Sequence, residues 1–145
     1  VPPVQKSFAS KGWNAAAIAP LSVAITRLER SAAAFAATRD RVLKNPASQS
    51  VRAAANGALI MVERAFARPA GLKSRPWYRS LIYAADIDNG YANMSFPGVN
   101  EAVRAGDQTL ANDELVDLAK RFGMAADAVD QARKALTSPS ASTKR

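Results

Sequence analysis

The stretch from Ile18 to Val42, IAPLSVAITRLERSAAAFAATRDRV, decides the fold class. From Ala15 onward its larger apolar residues fall at Ile18, Leu21, Ile25, Leu28, Ala32, Phe35 and Val42, in steps of three and four, with Arg39 filling one expected apolar slot. That spacing is a heptad stripe and predicts one long amphipathic helix. Asn14 can cap its start, or Pro20 can sit in its first turn. Asn45 and Pro46 close it.

Outward from this helix the same period returns twice. Val51, Ala55, Ala58, Val62 and Ala65 predict a second helix that begins after Ser48 or Ser50 and runs to about Ala67. Leu59, Ile60, Met61 and Phe66 add apolar surface on its other faces. A helix apolar over so wide an arc is buried on two sides, against its own domain and against something else. A short helix is expected from Val99 to Ala105, stopping at Gly106. Asn112 is then expected to cap a final long helix carrying Leu115, Leu118, Phe122, Ala125, Val129, Ala132 and Leu136, which Gly123 would kink or divide. Asp113 and Glu114 fit its first turn, where carboxylates favour the positive end of the dipole.

Between the second and third helices, residues 68 to 98 hold half of the aromatics, including all three tyrosines, without helical periodicity. A long irregular segment inside a small module is usually functional. Leu81 to Tyr83 suit a short extended stretch, and Asp88, Asn89 and Gly90 a turn. The expected architecture is therefore all-α, a four-helix-bundle-like single domain over residues 1–145 with one long loop. Residues 1–14 and 138–145 are expected to be flexible flanks.

Composition limits the chemistry. The 145 residues include no His and no Cys, which removes the usual transition-metal ligands, the commonest general base and the thiol nucleophile. Asp86 with Asp88 lacks the spacing of a calcium-binding loop, and turn chemistry explains it equally well. No metal site and no catalytic residue is assigned. No apolar run is long enough to span a bilayer, so a soluble protein without a membrane partner is expected.

The net charge of +8 lies in the first two thirds, where 13 basic residues face 5 acidic ones. Lys73, Arg75, Trp77, Tyr78 and Arg79 mix cations with aromatics as single-strand binders do. A basic helical nucleic-acid-binding protein is thus one reading. A solvated basic face, with the loop rings packed beneath it, is the plainer one.

Five short motifs carry a resemblance: Glu63-Arg64-Ala65-Phe66, Gly71-Leu72, Arg75-Pro76-Trp77-Tyr78-Arg79-Ser80-Leu81-Ile82-Tyr83-Ala84, Gly90-Tyr91-Ala92 and Ser95-Phe96-Pro97-Gly98. In this order and spacing they resemble the C-terminal dimerisation domain of the transferrin receptor and glutamate carboxypeptidase II family, from about Leu21 to Leu136. The likeness is greater to the peptidases, and a bacterial member is expected.

The resemblance implies a helical module that follows a zinc peptidase domain, pairs with its twin as a homodimer and does not catalyse by itself. The zinc ions and their ligands would belong to the peptidase domain of the same polypeptide. It also implies a periplasmic or extracellular location. In glutamate carboxypeptidase II a Lys-Tyr pair just ahead of the Ser-Phe-Pro-Gly motif contacts the substrate's terminal glutamate. Here the pair reads Gly90-Tyr91, so Tyr91 is the candidate substrate contact and the cation has no counterpart. Leu59, Met61, Phe66, Trp77 and Tyr78 are the candidates for dimer or inter-domain contacts.

Overall fold

The computed structural model describes residues 2–14, 16–44 and 47–138. Its elements run α1 (Pro2–Ser10), α2 (Ile18–Lys44), α3 (Gln49–Ala65), β1 (Tyr83–Ala85), β2 (Asn93–Ser95), α4 (Pro97–Ala105) and α5 (Gln108–Thr137). The described chain is predominantly helical. The two strands form an antiparallel pair with Ala84 opposite Met94.

Helix α5 is the central element, and α2, α3 and α4 all pack against it. Its buried apolar residues, Ala111, Leu115, Leu118, Ala125, Ala126, Ala128, Val129 and Ala132, are mostly alanines toward the C-terminal half. Alanines allow close approach of helix axes, and this shapes the facing side of α2. Ile18 and Leu21 are buried there as the spacing predicts, but farther along Ser31 and Thr38 are the buried residues, whereas Ala32 is exposed. The contact line therefore runs through residues 31 and 38 and not through 32 and 39. Thr38 can be buried because its hydroxyl donates to the Ala34 carbonyl of its own helix at 3.0 Å. Small side chains fit against small side chains, and that outweighs their polarity.

The helix boundaries follow local chemistry. Pro20 lies in the first turn of α2, where its missing N–H costs no hydrogen bond. Ser48 caps α3 by accepting from the Val51 amide. Helix α5 starts at Gln108, four residues before the expected cap at Asn112. The cause is the compact junction after α4: Gly106 takes φ +76° to end that helix, and Asp107 at once caps the next by accepting from the Leu110 amide at 2.9 Å. Asn112 and Asp113 thus lie inside the helix.

Gly123 neither kinks nor divides α5, which runs unbroken through it. Its carbonyl accepts from Arg27 of α2, whose guanidinium also pairs with Asp127.

Residues 2–10, expected as a flexible flank, form α1. Two apolar residues one turn apart, Val4 and Phe8, are both buried, and Trp13 sets its ring edge-on to Phe8 at 5.4 Å. Val4 and Phe8 join the core cluster of Leu21, Leu72, Leu81, Val99, Leu115 and Leu118. Tethering of this kind is what orders a short terminal helix that could not persist alone. The expected close of α2 at Asn45 and Pro46, the onset of its stripe at Ala15 and the frayed tail from Pro139 to Arg145 lie outside the described residues. No helix among the described residues is long and apolar enough to cross a membrane.

Candidate functional site

The segment between α3 and α4 lacks helical period, yet its backbone is closely tied. The Arg68 amide donates to the Arg79 carbonyl at 2.9 Å, Leu72 to Tyr78 at 2.9 Å, and Leu81 to Phe66 at 3.0 Å. These bonds fold residues 68–81 into a closed loop whose anchors, Leu72 and Leu81, are buried. Gly71 is indispensable to it: φ is +67°, and a Cβ would stand 1.9 Å from the Pro76 carbonyl oxygen. The extended stretch that follows is Tyr83–Ala85, two residues later than the expected Leu81–Tyr83. Bonding of Leu81 to Phe66 holds that residue in the loop.

Below the loop lies a charged network that spans three segments, the end of α3, the loop and α5. Arg68 donates bidentately to Glu114 at 2.9 and 3.0 Å, to Asp117 at 3.2 Å and to the Gly71 carbonyl at 2.8 Å. Arg121 donates to Asp117 at 3.2 Å and to the Ala65 carbonyl at 2.9 Å, joining the end of α3 to α5. Only 3% of Glu114 is exposed. Burial works against the charge on Arg68, but the Glu114 hydrogen bonds and the charges of Glu114 and Asp117 outweigh it and raise the guanidinium above its ordinary value.

The same carboxylate explains the Ser-Phe-Pro-Gly motif. A Cβ on Gly98 would come 2.4 Å from Glu114 Oε2, so any side chain there must displace the carboxylate that Arg68 holds. Phe96 takes φ +48° ahead of Pro97, the first residue of α4, and its ring meets Phe122 at 6.3 Å. Strained backbone at a non-glycine residue costs of order 1 kcal/mol and persists only where its surroundings compel it.

A second ion pair holds the other side of the loop. Arg75 is buried, pairs with Glu101 of α4, and donates to the Ala85 carbonyl at 2.9 Å. Its guanidinium lies 5.1 Å from the Tyr78 ring centroid. Ser74 also bonds Glu101.

From this base the β1–β2 hairpin projects. At its turn the Asp86 carboxylate accepts from the Asp88 amide at 2.9 Å and the Asn89 amide at 3.4 Å, while the Asn89 side chain accepts from the Tyr91 amide at 3.2 Å. Tyr91 itself is fully exposed, and Tyr83 and Ile87 on the same hairpin are more than half exposed. Asp86 and Asp88 both pair with Arg104, so their geometry is that of an ion-paired turn. Among the described residues no three His, Cys, Asp or Glu side chains converge on a metal position.

The other sequence candidates separate into two kinds. Met61 and Trp77 stand outward, the latter 76% exposed. Phe66 is half-buried with its ring 4.8 Å from that of Phe122, and Tyr78 is half-buried over Arg75. Leu59 is half-buried in an apolar groove that it shares with Phe35, Val42 and Leu136. Met61 borders a further pocket with Met124 of α5, and Ile60, the residue before it, is exposed.

Sequence reasoning missed Arg68, Glu101, Arg104 and the true role of Glu114. One cue was present: Glu114 occupies an apolar slot between Ala111 and Leu118, where a carboxylate must have a buried partner.

The described residues thus form a helical module with a clasped loop and with Ile60, Met61 and Trp77 exposed at its surface. The sequence profile of the transferrin receptor-like dimerisation domain matches residues 16–130, and the chain belongs to that family. A probable glutamate carboxypeptidase of Arthroderma benhamiae is 32% identical over 108 residues, which are 74% of this chain and 15% of the relative. One of Arabidopsis thaliana is 46% identical over 48 residues, 33% of this chain and 7% of the relative. A protein of Schizosaccharomyces pombe named as an inactive zinc metalloprotease is 35% identical over 72 residues, 50% of this chain and 8% of that protein. The chain thus spans a small fraction of the length of these relatives. Helix α1 precedes the matched region.

Proposed function

We propose that this chain is the homodimerising, substrate-site-completing C-terminal module of a zinc metallopeptidase similar to glutamate carboxypeptidase II, a carboxypeptidase or aminopeptidase, and is not catalytic by itself. The observation that carries this reading is the family match over residues 16–130 together with relatives named as peptidases many times longer than the chain. Helices α2, α3, α4 and α5 are taken as the four-helix-bundle core of the module. Zinc would reside in the preceding peptidase domain, held by ligands outside this chain, and would supply Lewis-acid and water-activating chemistry there.

Within this chain, the apolar edge of Ile60, Met61 and Met124 is assigned to the second copy and Trp77 to the peptidase domain. Leu59, Phe66 and Tyr78 support those surfaces from beneath. Tyr91 offers its hydroxyl to substrate. An exported location, periplasmic or extracellular, goes with the parent enzyme.

The nucleic-acid reading is weakened by Arg75, the central cation of its cluster, which is buried and paired with Glu101. The reading frame upstream of Val1 tests the proposal. A peptidase domain bearing His, Asp and Glu zinc ligands is expected there, and a start codon immediately before Val1 would refute it.

A further inference from the structure

We propose that Arg104 of α4 is the positioning residue for Tyr91, holding the β1–β2 turn in a single conformation from which the tyrosine hydroxyl is presented. The inference rests on the reading of Tyr91 as a substrate contact. Tyr91 is wholly exposed, so no packing around its ring fixes it, and its position depends on the backbone that carries it.

That backbone is held in three ways. The Asp86 amide donates to the Ala92 carbonyl at 2.8 Å and the Ala92 amide to Asn89 at 3.0 Å, closing the turn on itself. Asp86 gathers the Asp88 and Asn89 amides onto one carboxylate oxygen. Arg104 then grips the whole turn from outside, donating to both Asp86 oxygens at 2.8 and 2.6 Å and to Asp88 at 2.8 Å.

The geometry favours positioning over general stabilisation. A planar guanidinium that engages one carboxylate through two parallel bonds fixes orientation as well as distance, which a lysine does poorly. The pair is partly exposed, with the Arg104 side chain 46% and the Asp86 side chain 14% accessible. Such a pair adds little to global stability but restrains a local segment when several charges form a network. Its anchor is sound, because Ala102 and Val103, the two residues before Arg104, are buried in the core. The grip on Asp86 also draws that carboxyl well below its usual range, with the Asp88 amide contributing next. The clamp stays ionised at any physiological pH.

The test combines amide hydrogen exchange on this chain with steady-state kinetics on the full peptidase polypeptide proposed above. Arg104→Gln is expected to speed exchange at Asp88, Asn89 and Tyr91 by about tenfold or more, with the core amides of Leu115 and Leu118 unchanged. In the full polypeptide the same variant is expected to raise KM several-fold at nearly constant kcat, and Arg104→Lys to restore only part of the loss. Unchanged exchange at the turn, or exchange that rises throughout the chain, overturns the proposal. So does a KM unaffected by Arg104→Gln while Tyr91→Phe raises it. If Tyr91→Phe leaves KM and kcat unchanged, the substrate-contact reading itself fails, and the exchange result still reports separately on the clamp.

Discussion

Replacing Arg68 by Ala should destabilise the module far more than replacing its partner Glu114 by Gln, although both changes break the same ion pair. Removal of Arg68 leaves Glu114, 3% exposed, as a buried carboxylate with no cation. Removal of the Glu114 charge leaves Arg68 with Asp117 at 3.2 Å and the Gly71 carbonyl at 2.8 Å. Stranding a buried charge costs about 3–5 kcal/mol, whereas losing one of several bonds to a guanidinium costs about 1–2 kcal/mol. For a chain of this length 1 kcal/mol corresponds to about 3 °C in Tm, so Arg68→Ala should lower Tm by about 10 °C and Glu114→Gln by about 4 °C. Urea unfolding followed by circular dichroism, with the double variant closing a thermodynamic cycle, measures both costs and their coupling, expected to be about 2 kcal/mol. A cost below about 1 kcal/mol for Arg68→Ala, or a larger cost for Glu114→Gln, would refute the reasoning, because either result would mean that water reaches Glu114.

Three further outcomes are expected. Gly71→Ala should cost about 2–4 kcal/mol by denaturant titration, since a Cβ there meets the Pro76 carbonyl at 1.9 Å and the backbone is left-handed. Thr38→Leu should overpack the contact with α5 and cost about 1–3 kcal/mol, while Ala32→Leu, on the exposed side, should stay within about 0.5 kcal/mol; equal effects would return the contact line to residue 32. Protection of the Asp88 and Asn89 amides should hold from neutral pH down to about pH 4, the ordinary range of a free carboxyl, and fade only in stronger acid. The sign follows from Asp86: its native pKa lies below the unfolded one, so its contribution is present above the unfolded value and is lost as pH falls through the native value.

The helices were legible because their apolar spacing is local. Residues 51, 55, 58, 62 and 65 face inward on α3 as their period implies. The phase of α2 was less legible, since its burial depends on the alanines of α5, about a hundred residues away, and single-helix periodicity ranks Ala32 above Ser31. Helix α1 escaped notice because two apolar residues make no period. The loop's turn at Asp88-Asn89-Gly90 could be read from its residue types, but its clasp could not. Arg68 and Glu114 are 46 residues apart, and nothing in either neighbourhood names the other. Family motifs singled out the Ser-Phe-Pro-Gly turn, and the close approach of Glu114 to Gly98 supplies a physical reason for the glycine.

Self-association of the chain tests the central claim most directly. Sedimentation equilibrium over a concentration series up to about 1 mM, where a Kd at the limit corresponds to about −4 kcal/mol, should show a reversible monomer–dimer equilibrium. Met61→Asp, on the exposed edge, should weaken it by about tenfold or more while leaving the helical signal intact. A wild-type chain that remains a monodisperse monomer at the highest concentration would contradict autonomous dimerisation through this module.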